Sequence, residues 1–274
     1  MNKILLFFPF IFCFCNQQHV KKNTATSIPV SSEAKPVNAA GIKVIHVFVA
    51  LCDNKYQGIV PVPAKIGNGQ DPASNLYWGC GYGVKTFFSS QGSWQLLSDK
   101  KQDSGNIILE RLVFKYKGKD IYLVADAYNG KEIKNCTINF LKSCSGNYND
   151  SVRMNNKTIY CGGASATLAY VGHDGLMDFQ LTDTYKAVDN KKREAMIFAC
   201  VSKGYFAKHI KNTGALPVVW TSGLCSPEAY SLSAALKSRI ENEPVENAAL
   251  RAAEAYSKYQ KCSLRAAQRL LVFN

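Results

Sequence analysis

The sequence lacks the glycine signatures of nucleotide binding. No Gly-x-Gly-x-x-Gly follows a strand-like run, and no Gly-x-x-x-x-Gly-Lys-Ser/Thr occurs anywhere in the 274 residues. Gly79-Cys80-Gly81-Tyr82-Gly83 is glycine-rich, but it follows Asn-Leu-Tyr-Trp rather than a strand. No Cys-x-x-Cys pair is present, and no His/Cys spacing points to zinc. Thr221-Ser222-Gly223 is not the Gly-x-Ser-x-Gly elbow of a serine hydrolase. Charged residues make up only 19%, against 47% hydrophobic and 11% aromatic, which excludes a disordered chain, a collagen and a coiled coil. Only one apolar run is long, and it is N-terminal, so a multi-span membrane protein is excluded too.

What is present is basic. Lys and Arg number 33 and Asp and Glu 20, a net charge of +13. The charge is diffuse: Lys100-Lys101 and Lys191-Lys192-Arg193 are the densest clusters, and no nucleic-acid motif accompanies them. A solvated basic surface is predicted, with no nucleic-acid partner.

Met1-Asn2-Lys3 leads into Ile4–Phe14, eleven residues that are apolar apart from Pro9 in chain character and too short to span a bilayer. This is the length of a signal-peptide core, and Cys15 directly after it resembles the modified cysteine of bacterial lipoproteins. Residues 1–15 therefore read as a signal segment with Cys15 as its lipidation site. Residues 16–42, rich in Ser, Pro and Ala, read as a flexible tether. The expectation is an exported chain held to the cell envelope by a lipid anchor. Eight further cysteines follow, too few for a cystine-stapled scaffold of this size.

Residues 43–274 read as one α/β domain. Lys43–Leu51 is a near-continuous β-branched and aromatic run, the pattern of a strand buried on both faces. A helix is predicted over Asn75–Ser90. A hairpin is predicted over Ile107–Tyr116 and Asp120–Ala125, turning at Lys117-Gly118. A helix over Lys131–Ser143 and strands over Thr167–Val171, Ala195–Ala199 and Val218–Thr221 follow. The tail reads as helices over 227–240, 245–260 and 263–272, the first opened by Ser226-Pro227. Strands interleaved with helices predict a three-layer fold, a mainly parallel central sheet with helices on both faces and a helical C-terminal tail. In such sheets, sites lie at the carboxyl ends of the strands.

Two strand ends carry reactive side chains. Leu168-Ala169-Tyr170-Val171 runs into Gly172-His173-Asp174-Gly175, and Ala195-Met196-Ile197-Phe198-Ala199 runs into Cys200. If these strands are parallel neighbours, imidazole and thiol emerge on one rim. There they can serve as proton shuttle and nucleophile. Imidazole titrates near working pH, and a neighbouring imidazolium favours the thiolate.

Tyr170-Val171-Gly172-His173-Asp174-Gly175 and Ile197-Phe198-Ala199-Cys200-Val201-Ser202 resemble the caspase-like cysteine peptidases, which include caspases, metacaspases, legumains and gingipains. The resemblance implies a peptidase acting on a peptide or protein substrate, with His173 as base and Cys200 as nucleophile. In that family Gly follows the His directly and gives an amide to the oxyanion hole. Here Asp174 intervenes, and the resemblance moves that role to Gly175, beside the amide of Cys200 itself. It also implies a substrate pocket built from loops after the strands, so Asp53, Asn54, Asp126, Trp220, Thr221 and Ser222 are candidate substrate-binding residues. Asp53 would favour a basic substrate side chain; capping a turn is its other reading. Such chemistry requires no metal and no cofactor. The rival reading is a non-catalytic surface lipoprotein that binds a ligand or protein partner through the same cleft. His46, within a strand, reads as a packed core residue.

Overall fold

A computed structural model of the protein describes residues 37–154 and 157–273. The signal core, Cys15 and the tether up to residue 36 lie outside the described residues. Ten strands and six α-helices follow in the order β1 (Lys43–Ala50), α1 (Val84–Ser90), β2 (Trp94–Lys101), β3 (Ile108–Tyr116), β4 (Ile121–Tyr128), α2 (Ile133–Ser145), β5 (Asn149–Met154), β6 (Lys157–Gly162), β7 (Thr167–Gly172), β8 (Glu194–Phe198), α3 (Ser202–Thr213), β9 (Leu216–Thr221), α4 (Ala229–Ile240), α5 (Asn247–Gln260), α6 (Leu264–Leu270) and β10 (Leu271–Val272).

Eight strands form one sheet in the order β10-β9-β8-β7-β1-β4-β3-β2. The five central ones, β9, β8, β7, β1 and β4, run parallel, while β3, β2 and β10 are antiparallel additions at the edges. Strand β1 explains the layering. Its Val47, Val49 and Leu51 join one core, with side chains of α1, α4, α5 and α6, while Phe48 and Ala50 join another, with α2 and α3. Alternate residues of a strand point to opposite faces, so a strand flanked by helices on both sides must be apolar throughout. Each large side chain taken fully out of water contributes about 1.5–3 kcal/mol. The fold class is thus a three-layer α/β sandwich around a mostly parallel sheet. No helix among the described residues is long and apolar enough to cross a membrane.

Several local expectations are corrected. The helix expected over Asn75–Ser90 begins only at Val84. Asn75 is buried and its side chain is used elsewhere: Oδ1 accepts the amides of Cys52 and Tyr77, and Nδ2 donates to the carbonyls of Cys52 and Asn68. That clasp ties the chain after β1 and competes with helix, and Gly79, Gly81 and Gly83 weaken the helix further. Helix α4 starts at Ala229 after Glu228, and the Ser226 amide donates to the Tyr256 hydroxyl instead of opening a helix. Strand β2 and the β5–β6 hairpin were not anticipated. The hairpin packs Val152, Ile159 and Cys161 against Val44, Val113, Tyr122 and Val124 of the sheet. Arg193 is not a solvated member of a basic cluster: it is buried and forks onto Asp189 with two 2.8 Å bonds.

Candidate active site

Strands β7 and β8 are parallel neighbours with a constant register from Thr167↔Glu194 to Val171↔Phe198. His173 follows the last residue of β7 directly, and Cys200 stands two residues past the end of β8. Adjacent strands lie about 4.8 Å apart, so the two side chains leave the sheet from neighbouring strand ends on one rim.

The turn after β8 is tightly specified. Val201 has φ 52°, a left-handed conformation that a β-branched residue rarely adopts. Its amide donates to Gly223 O at 2.8 Å, and its carbonyl begins the hydrogen bonding of α3. Beneath it, Ser202 and Thr221 exchange hydrogen bonds and fix the end of β8 to the end of β9. The strain is local and the support surrounds it, a combination found at functional sites.

Cys200 is half-buried at the head of this turn. Its Sγ lies 3.4 Å from the Cys225 amide nitrogen and 3.5 Å from the Cys225 carbonyl oxygen. The Cys225 thiol hydrogen-bonds the Cys200 sulfur, and this, with the Cys225 amide, outweighs burial and pulls the Cys200 thiol down to about 6. The start of α3 lies next to it and adds a favourable dipole. Cys225 moves the opposite way, well above the ordinary thiol range, because its thiol donates to Cys200 and is partly shielded from water.

His173 is buried at the end of β7, and its Nε2 meets Asp178 Oδ2 at 2.8 Å. The same carboxylate oxygen accepts the Gly58 amide at 2.9 Å. Asp178 thus fixes the imidazole and leaves Nδ1 for proton traffic. Asp174 is buried, its Oδ1 accepting the Leu176 amide at 3.0 Å while Oδ2 has no hydrogen-bond partner. Burial, together with the nearby charges of Cys200 and Asp178, lifts its carboxyl to about 7 despite the Leu176 amide. A groove of about 300 Å³, lined by Leu176, Phe179, Tyr205 and His209 among others, runs between this turn and α3. A cavity of about 660 Å³ lies at the opposite rim where the strands begin, and neither histidine nor cysteine lines it.

The remaining predicted site residues do not gather here as free groups. Gly175 turns its amide to the Tyr170 hydroxyl, and its carbonyl accepts the amides of Asp178 and Phe179, so its amide is already committed. Asp53 takes its turn-capping reading: Oδ1 accepts the amides of Lys55 and Tyr56, and Oδ2 accepts Gln70 Nε2 at 2.6 Å. Asn54 clasps Val62 through both side-chain atoms. Trp220 is core, with the Lys203 ammonium 5.8 Å from its ring centre. Thr221 is fully buried, and exposed Ser222 donates to Arg269 O at 2.5 Å.

Asp126 is corrected most clearly. Strand β4 runs on to Tyr128, so Asp126 lies inside it and is fully buried. Arg111 binds both its oxygens, at 2.6 and 2.7 Å, and reaches Asp150 at 2.5 Å. His46 Nε2 meets Asp126 at 2.9 Å, and His46 Nδ1 accepts the Gly162 amide at 3.0 Å. Burial raises the Asp126 carboxyl, but Arg111 and His46 outweigh it and hold it at about 2.

This forms a second, buried His/Asp/Cys cluster. Ligand atoms of His46, Asp150 and Cys161 lie within 4.8 Å of one another. The donor set does not suit a cation. Both nitrogens of His46 are engaged, a single guanidinium already bridges the two carboxylates, and burial pushes the Cys161 thiol far up. A fully buried thiol in that state is no nucleophile either.

Sequence reasoning did not point to Cys225, to Asp178 or to the Ser202–Thr221 pair. Cys225 obeys the rule that found Cys200, since it follows the next parallel strand. Asp178 stood five residues from His173, within reach of one turn. Comparison with protein-family models, with curated proteins and with solved structures finds no match to this chain.

Proposed function

We propose that the protein is a cysteine hydrolase, a peptidase of caspase-like kind, with Cys200 as nucleophile and His173 as its general base and acid. The observation that supports this reading is the parallel pairing of β7 and β8, whose neighbouring carboxyl ends run into His173 and into a thiol whose surroundings favour the thiolate. In the first step the Cys200 sulfur attacks the scissile carbonyl. The amide of Cys200 itself then faces the developing oxyanion, near the start of α3. His173, held through Nε2 by Asp178, uses Nδ1 to protonate the leaving amine and then to deprotonate the water that hydrolyses the acyl-enzyme. The groove between the His173 turn and α3 offers an apolar wall from Leu176 and Phe179 for a substrate side chain.

The test is a peptide-library digest with wild type, Cys200→Ala, His173→Ala and the double variant. Each single substitution is expected to remove nearly all turnover, and the double to add little, because the pair acts as a unit. Cleavage that survives in Cys200→Ala rejects the nucleophile assignment; no cleavage by any variant, with a large drop in melting temperature for Cys200→Ala, favours a binding protein using the same rim. Export and lipid anchoring belong to this reading through Ile4–Phe14 and Cys15. Accumulation of unprocessed Cys15→Ala supports lipidation, and normal processing of that variant points to an ordinary cleaved signal.

A further inference from the structure

We propose that Cys200 and Cys225 form a peroxide-oxidisable pair, in which Cys200 is the sulfur that is attacked and Cys225 the one that resolves it to a disulfide.

The geometry is asymmetric in the way such a pair requires. Both residues follow neighbouring parallel strands, Cys200 after β8 and Cys225 after β9. The Cys200 sulfur sits on the backbone of Cys225, 3.4 Å from its nitrogen and 3.5 Å from its oxygen, with the Cys225 thiol as hydrogen-bond donor. Contact with the Cys225 amide and thiol favours the thiolate at Cys200, while Cys225 holds its proton more tightly. The four buried thiols do not compete. Cys136, Cys144 and Cys161 are buried with raised values, and burial pushes Cys52 up to about 11 despite its bond to Tyr77. Cys225 lies in the irregular segment between β9 and α4, beside exposed Leu224, so its backbone is free of ladder bonds that would resist the last approach of the sulfurs.

The chemistry balances in two steps. The Cys200 thiolate attacks hydrogen peroxide, the O–O bond breaks, and a sulfenic acid and hydroxide form. The Cys225 sulfur then attacks the sulfenic sulfur; the S–S bond forms, and hydroxide leaves with the Cys225 proton as water. Two thiols are oxidised by two electrons and the peroxide is reduced. A dithiol reductant reverses the product. The disulfide removes the nucleophile from use and guards it from irreversible oxidation. This goes beyond hydrolysis and does not depend on it, because it requires only the two sulfurs.

The experiment treats the full chain with near-stoichiometric hydrogen peroxide at neutral pH, then measures intact mass and maps peptides. Wild type is expected to lose two hydrogens, to yield a Cys200–Cys225 linked peptide and to regain its mass with dithiothreitol. Cys225→Ser, with Cys225→Ala as a second variant and circular dichroism as the fold check, is expected to gain oxygen at Cys200 and to be trapped there by dimedone. Cys200→Ser is expected to oxidise at least about ten-fold more slowly. Oxygen accumulating on wild-type Cys200 without a disulfide, a disulfide through any other cysteine, or equal rates in wild type and Cys200→Ser overturns the proposal. Peptide cleavage is not read at any point, so failure here and failure of the hydrolase reading are distinct results.

Discussion

Ser202 and Thr221 complete each other's hydrogen bonding. The Thr221 amide donates to Ser202 Oγ at 2.9 Å and the Ser202 amide donates to Thr221 Oγ1 at 3.1 Å. Each hydroxyl then donates onward, Ser202 to Ile197 O at 3.0 Å and Thr221 to Ala199 O. The two carbonyls flank Phe198, so the pair grips the end of β8 just before Cys200. With both hydroxyls buried, neither has water as a substitute.

Thr221→Val keeps the shape and deletes the hydroxyl. The Ser202 amide and the Ala199 carbonyl are then left buried without partners. Urea unfolding is expected to show a loss of about 1–3 kcal/mol, and alkylation of Cys200 in the folded protein is expected to lose its selectivity. Unchanged stability would mean that the pair carries no strain from the turn above it.

The pH profile of Cys200 reports on Cys225. In wild type the rate of iodoacetamide labelling at Cys200 should rise through an inflection near pH 6, following the thiolate. Cys225→Ala removes the hydrogen bond from the partner thiol. The inflection should then move up toward the ordinary thiol value of about 8.5. An inflection that stays near 6 would assign the acidity to the start of α3 instead.

Asp174 makes stability fall as pH rises. Its folded value, about 7, lies above the ordinary value of 3.8 that it has in the unfolded chain. The contribution is fully present below about 3.8 and is lost as pH climbs through 7. Asp174→Asn keeps the acceptor for the Leu176 amide and cannot ionise. Its unfolding free energy should match wild type near pH 4 and exceed it at pH 8, by an amount on the order of 4 kcal/mol. A variant less stable than wild type at pH 8 would show that the carboxylate has a favourable partner in solution.

Val201→Asn relieves the left-handed backbone. Asn tolerates positive φ, while Val pays about 1–2 kcal/mol there. A gain of about 1 kcal/mol in thermal unfolding is expected, with the Cys200 labelling rate retained. Destabilisation would indicate that half-buried Val201 packs better than its backbone suffers.

The sheet was legible because its signal is redundant. Lys43–Leu51, Thr167–Val171 and Ala195–Ala199 are apolar at consecutive positions, which only a strand covered on both faces requires. From them, the rim bearing His173 and Cys200 followed. The polar residues around that rim were less legible. Asp53, Asn54 and Asp126 are acidic or amide groups near strand ends, and sequence does not distinguish a side chain aimed at substrate from one that closes a loop. All three are consumed by local or cross-strand partners. Asp126 misled for a further reason: its partners, Arg111 and His46, come from β3 and β1, at 15 and 80 residues' distance. Gly175 is a similar case, since its amide faces the hydroxyl of Tyr170 in the preceding strand. Cys225 escaped notice because its strand, Val218–Thr221, is short and the loop after it is long.

The ionic cluster of His46, Asp126, Arg111 and Asp150 also bears on how the molecule comes apart. Asp150 belongs to the β5–β6 hairpin and Gly162 ends it, while the other members belong to the central strands. Lifting the hairpin would strand Arg111 and His46 with half their partners in a dry interior. A two-stranded ribbon of this size is ordinarily the first piece to open. Here its opening is coupled to that of β1, β3 and β4, so amide exchange in β6 should be nearly as slow as in the central sheet.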